Sequence, residues 1–243
     1  MEAWVQTFAG MLSPAEKVPV KDSFRWQHRE HSVRTVQVAK AVRAVCGLRA
    51  ALCLADQRFT TESATLLRAV ADFAAEIIFV GEALLEGRLT DDQKKFVAQH
   101  FDALPVDPDE LAAREKEYYV GRKAIAAAHQ RIFEKTGVPT EQLQKIANYL
   151  NKGYDGYVHG ANVTAMELYD VRTNTFMIGG QLFPRFVCMA KVSVAAKTSE
   201  LINSLHFMAI VWGIQSLLPE IVAARNELDA SSEDHGSLCA GLA

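Results

Sequence analysis

The sequence predicts an all-α fold, a single-domain helical bundle with a small irregular or β-hairpin insert near 163–180. Three observations predict it. Apolar residues recur at helical spacing over most of the 243 residues. Capping residues and Gly or Pro stops bracket the periodic runs. The composition, 49% hydrophobic and 23% charged, is that of a chain that can bury a core. No internal repeat or linker divides it, so residues 1–228 read as one helical domain. Residues 229–243, with Ser231, Ser232, Glu233 and Asp234, read as a flexible C-terminal tail.

In chain order, a short first helix can bury Trp4, Phe8 and Leu12 before Pro14 and Pro19 break it. Ser23 then opens a long helix to about Asp56. Thr60 to Gly87 has a strict 3.6-residue pattern (Leu66, Leu67, Val70, Phe73, Ala74, Ile77, Ile78, Gly81, Leu84, Leu85), with Gly87 as the left-handed stop. Thr90 and Gln93 form a capping box, and Pro105 ends that helix. Asp107-Pro108 starts another, running to about Lys135. Thr140 caps the next, to Asn151. Residues 153–160 hold three glycines. Met166–Val171 and Thr175–Ile178, joined by Arg172-Thr173-Asn174, form the hairpin insert. Two helices fill Leu182 to about Leu228.

Composition excludes several classes. The formal charge is −3, so a nucleic-acid contact has to come from a local patch. The four cysteines form no Cys-x-x-Cys pair and read as reduced thiols. Met1–Leu12 has no basic start and is not read as a signal peptide. The expected location is therefore the cytoplasm. Leu201–Pro219 is apolar, but Asn203, Ser204, His206 and Gln215 make it a buried bundle helix rather than a membrane span. Ferritin-type metal spacing, a Walker A loop, a Gly-x-Gly-x-x-Gly turn and a Gly-x-Ser-x-Gly elbow are all missing from the sequence. No metal and no cofactor are expected.

Three constellations remain. In Asn151-Lys-Gly-Tyr-Asp-Gly-Tyr-Val-His-Gly160, His159 is the natural acid/base near neutral pH, with Lys152, Tyr154 and Tyr157 beside it. The plainer reading is a plug between helices. Arg122 and His129 lie seven positions apart on a predicted helix, hence on one face. Arg25, Arg29, Lys40 and Arg43 fall on one face of the predicted second helix. Val38, Val42, Val45, Cys46, Leu52 and Cys53 lie opposite, and both cysteines read as core. From Lys21 to Arg58, eight Lys/Arg stand against Asp22, Glu30 and Asp56. Such a stripe attracts phosphates, or else it is a solvated face paired to acids such as Glu62 or Asp72.

The run Gly156-Tyr-Val-His-Gly160, followed by Met166-Glu-Leu-Tyr169 and a Phe/Gly-rich lobe, resembles a family of bacterial helical proteins similar to the HEPN superfamily. The resemblance spans roughly 149–180. It implies a helical bundle, often a homodimer, that binds RNA or a nucleotide. Many members are metal-independent ribonucleases of defence or toxin systems, with an Arg and a His four to six residues apart. His159 matches the family His, and Lys152 stands where the Arg is expected. Under this reading His159 is the general acid/base, Lys152 the charge partner, and Tyr154 and Tyr157 the stacking or orienting groups. The competing reading is a non-catalytic interaction or dimerisation module with a protein partner. A third is a small-molecule binder whose Trp and Phe residues line a cavity.

Overall fold

A computed structural model describes residues 1–20, 23–101, 120–135, 152, 154–160 and 162–240. Among these, most are helical. Helix α1 (Glu2–Gly10) buries Trp4, Val5 and Phe8. Strands β1 (Ala15–Val20) and β2 (Ser23–His28) pair antiparallel, with Lys17 opposite Trp26 and Pro19 opposite Phe24. Helix α2 (Val33–Asp56) follows.

This ribbon replaces the first half of the helix expected from Ser23. Phe24 and Trp26 favour extended backbone, and Pro19 is tolerated because each strand of a two-stranded ribbon is an edge. Lys17 lies over both rings, 4.5 Å from the centre of Phe24 and 5.5 Å from that of Trp26. The helix start is set instead by Ser32, whose hydroxyl accepts from the Thr35 N–H at 3.3 Å.

Helix α3 (Thr60–Glu86) ends at Gly87 with φ of 67°, as its sequence requires. Thr90 and Gln93 make both bonds of the capping box, at 2.9 and 3.3 Å, and open α4 (Asp91–Phe101). Helix α5 (Arg122–Lys135) begins after the non-helical pair Val120-Gly121, so the helix expected from Pro108 does not run unbroken to Lys135. The expected stop at Pro105 and the helix from Thr140 lie outside the described residues. Residues 154–158 are helical. A short α6 (Asn162–Met166) leads to the insert, where β3 (Tyr169–Asp170) pairs with β4 (Thr175–Phe176) around Asn174, at φ of 57°. Helix α7 (Pro184–Trp212), a 3-10 turn (Gln215–Leu217) and α8 (Leu218–Ala240) close the chain. The last helix passes the expected stop at Leu228.

Helices α2, α3 and α7 build the main core around Phe8, Ala41, Leu67, Ile77, Leu201, Leu205 and Met208. Small residues let α2 approach α3. Ala41, Ala44, Ala51 and Ala55 are fully buried, and a Cβ on Gly47 would stand 3.1 Å from Val70. This corrects the expected apolar face of α2. Val38 and Val45 are buried, but Val42, Cys46, Leu52 and Cys53 are exposed, because the alanines hold the contact. Cys188 is disulfide-bonded, so the expectation of reduced thiols throughout fails there. A second cluster joins Val36, Phe79, Val80, Phe96 and Ala128.

Two polar links cross these packed layers. The Trp212 indole donates to the Gln37 side chain at 2.7 Å, and the Gln37 amide donates to the Ile77 carbonyl at 3.0 Å. Buried Glu82 receives both arms of Arg131, at 2.6 and 2.7 Å. No helix among the described residues is long and apolar enough to cross a membrane.

Candidate functional site

Helix α3 places Arg68 and Asp72 one turn apart on the side facing residues 154–158 and the start of α5. The Arg68 side chain is only 5% exposed. It donates to Asp155 at 2.9 Å and also to Asp72. Arg122, the first residue of α5, reaches the same two acids at 3.4 Å (Asp155) and 3.7 Å (Asp72). The result is a four-membered network of two guanidinium groups and two carboxylates. It fastens residues 154–158 onto α3.

The network sets its own electrostatics. The hydrogen bond from Arg68 holds the Asp155 carboxyl below its ordinary value, against a smaller opposing effect of burial. Burial works against the Arg68 guanidinium, but hydrogen bonds to Asp155 and Asp72 carry it above its ordinary value. Arg122 is held differently. Its side chain is 66% exposed, and its contacts are longer than the roughly 2.7–2.9 Å of a strong charge-assisted bond.

His159 is exposed, and its backbone N–H donates to the Asp155 carbonyl at 3.0 Å. One helical turn therefore separates the imidazole-bearing residue from the carboxylate that Arg122 touches. One member of each candidate pair, His159 by its backbone and Arg122 by its side chain, thus meets Asp155. Lys152 is also exposed.

The two tyrosines are committed elsewhere. The Tyr157 hydroxyl donates to Glu167, 2.9 and 3.0 Å from its two oxygens. Burial first, and this bond second, raise the phenol above its ordinary value, so it stays protonated. Burial likewise raises Glu167. Tyr154 packs against the main core, and the Lys197 ammonium lies 5.3 Å from its ring centre. Both rings are half-buried, one held by its hydroxyl and the other by the core.

His129 does not join Arg122. It faces α3, where its Nε2–H donates to the Ala75 carbonyl at 3.1 Å. Burial lowers its basicity, opposed to a smaller extent by the Ala75 bond and then by Glu200. This imidazole packs α5 against α3 through its bond to the Ala75 carbonyl.

The basic stripe is also rearranged. Arg25 lies on β2, with its side chain outside those described, and Arg29 follows that strand and pairs with Glu16 at 2.5 Å. Lys40 is half-buried and pairs with Glu76 at 2.7 Å. Arg43 alone of the expected four is exposed on α2 with no carboxylate partner among the described residues. The stripe fails as a single helix face because β2 intervenes. The pairing of Arg68 with Asp155 is hidden in the sequence, since 87 positions separate them. The i, i+4 spacing of Arg68 and Asp72 was the one local signal available.

Among the described residues, no three His, Cys, Asp or Glu are grouped so as to hold a metal ion. Compared with known proteins, the chain matches no family model, no curated protein and no solved structure.

Proposed function

We propose that this protein binds RNA at the surface shared by His159, Arg122 and Lys152, and that its chemistry there is metal-independent cleavage of the strand. The observation that carries the reading is the meeting of Arg122 with the segment that presents His159. The HEPN-like run around His159 lacks its Arg in sequence, and Arg122 brings a guanidinium from another helix. Its loose contacts leave it able to turn towards a phosphate, while Arg68 stays bonded to both carboxylates.

Strand cleavage of this kind requires few groups. His159 takes the proton of a ribose 2′-hydroxyl, whose oxygen attacks the adjacent phosphorus. The bond to the 5′-oxygen breaks and that oxygen takes up a proton, leaving a 2′,3′-cyclic phosphate and a 5′-hydroxyl. Arg122 and Lys152 stabilise the charge that develops on the phosphoryl oxygens.

The second reading, a non-catalytic interaction or dimerisation module, has its own support. Val171 and Ile178 in the insert are 79% and 86% exposed. Apolar side chains so open to water suit a protein partner or a second copy.

Incubating the purified protein with single-stranded RNA in EDTA separates the two. The RNA reading expects products ending in a 2′,3′-cyclic phosphate, lost in His159→Ala with the melting temperature unchanged. Intact RNA, no binding at low salt and a destabilised His159→Ala would favour the module.

A further inference from the structure

A groove of about 570 Å³ opens between the β1–β2 ribbon, α2 and the end of α4. That volume falls within the range of roughly 300–1,000 Å³ typical of small-molecule sites. Val38 and Val42 form an apolar floor, Trp26 and Phe101 stand on its walls, and Arg43 and His100 supply nitrogen donors. No carboxylate lines it among the described residues.

Each wall points to the same kind of occupant. Trp26 is 63% exposed, whereas Trp4 and Trp212 are buried; Lys17 lies over its ring at 5.5 Å, and the indole surface that remains open lines the groove. One face of Phe101 is already used, since His31 stacks on it in parallel at 4.2 Å. Arg43 lies 5.9 Å from the Phe73 ring centre and has no ion pair among the described residues. Neighbouring Lys40 is neutralised by Glu76. His28, also on the lining, donates through Nδ1 to the Ser13 carbonyl at 2.7 Å. In the neutral ring that bond leaves Nε2 as an acceptor. Burial keeps His100 below its ordinary basicity, with Lys40 adding to the effect.

We infer that this groove binds a flat heteroaromatic ring carrying a phosphate, the chemistry of a nucleoside monophosphate. The ring stacks against Trp26 and the phosphate is held by Arg43. The site involves other residues than the His159 surface and stands whether or not that surface binds RNA. Free nucleotide and the terminal nucleotide of a strand share this chemistry.

Trp26 reports on the groove directly. Titrating the protein with AMP should quench the exposed tryptophan saturably, and Trp26→Phe should remove the signal. Calorimetry follows binding where the indole is absent. Arg43→Ala should weaken AMP about tenfold or more while leaving adenosine unaffected. Arg122→Ala should bind AMP as the wild type does, which separates this site from the RNA surface. Quenching by a short oligoadenylate but not by AMP, still dependent on Arg43, keeps the chemistry and assigns the strand end as its source. The inference is overturned if neither ligand binds saturably, or if binding survives both Arg43→Ala and Trp26→Leu undiminished.

Discussion

Beneath residues 154–158, two guanidinium groups face two carboxylates, whereas the groove beside the β1–β2 ribbon holds Arg43 with no carboxylate partner among the described residues. The first arrangement is balanced. Its inner member, Arg68, is enclosed and tightly bonded, as a charge must be to stay buried. The second leaves positive charge beside open aromatic surface. Paired charge fastens one element to another, and unpaired charge is left for a ligand. Arg122 belongs to both regimes, being inside the network by contact and outside it by exposure.

The largest expected effect comes from breaking the enclosed member. Arg68→Ala leaves Asp72 and Asp155 without their close donor. Both acids retain some water contact, so the loss should be about 2–3 kcal/mol rather than the most that a buried pair can cost. For a chain of this size that lowers the melting temperature by roughly 4–12 °C, measurable by calorimetry.

Acid should act on the same region in two steps. His129 sits below its ordinary value of 6.5, so the folded state favours the neutral ring. Its contribution is complete above pH 6.5 and is lost as the pH falls below that value, where the unfolded chain binds the extra proton. Asp155 is held below 3.8, so its contribution persists above that value and is lost as the pH falls further. Denaturant titrations between pH 7 and 5 should show falling stability, with a shallower slope in His129→Gln.

A smaller effect is expected at Arg122. Its exposed, long contacts are worth about 0–1 kcal/mol, so Arg122→Ala should melt within a few degrees of the wild type. Arg43→Ala should be the mildest, within about 0.5 kcal/mol, because it breaks no ion pair among the described residues. A large destabilisation by either variant would break the distinction between fastening and available charge.

Local signals were legible in the sequence. Gly87 and the Thr90/Gln93 box need only neighbouring residues, and both do what their patterns require. The hairpin around Arg172–Asn174 was equally local. The β1–β2 ribbon was harder to read, because Arg25 and Arg29 also fit helical spacing and extend the true pattern of α2 backwards. The face of α2 is obscured for a different reason. Large apolar side chains dominate a hydrophobic pattern, yet alanines make this helix contact. At the site, His159 could be singled out by residue type, and its exposure follows from its place after the helical turn. Arg122 could not be paired with Asp155, because only folding brings α5 beside residue 155. Tyr154 and Tyr157, spaced three apart, could equally have been read as an inward helical face.

In the proposed function Arg122 serves RNA, while Arg68 serves the fold. A salt titration of single-stranded RNA binding tests it most directly, comparing the wild type with Arg122→Ala at matched melting temperatures. Binding should be weaker in the variant, with the slope of log K against log salt reduced by about one phosphate contact, roughly 0.7. An unchanged slope and affinity, or no RNA binding by the wild type even at low salt, would contradict it.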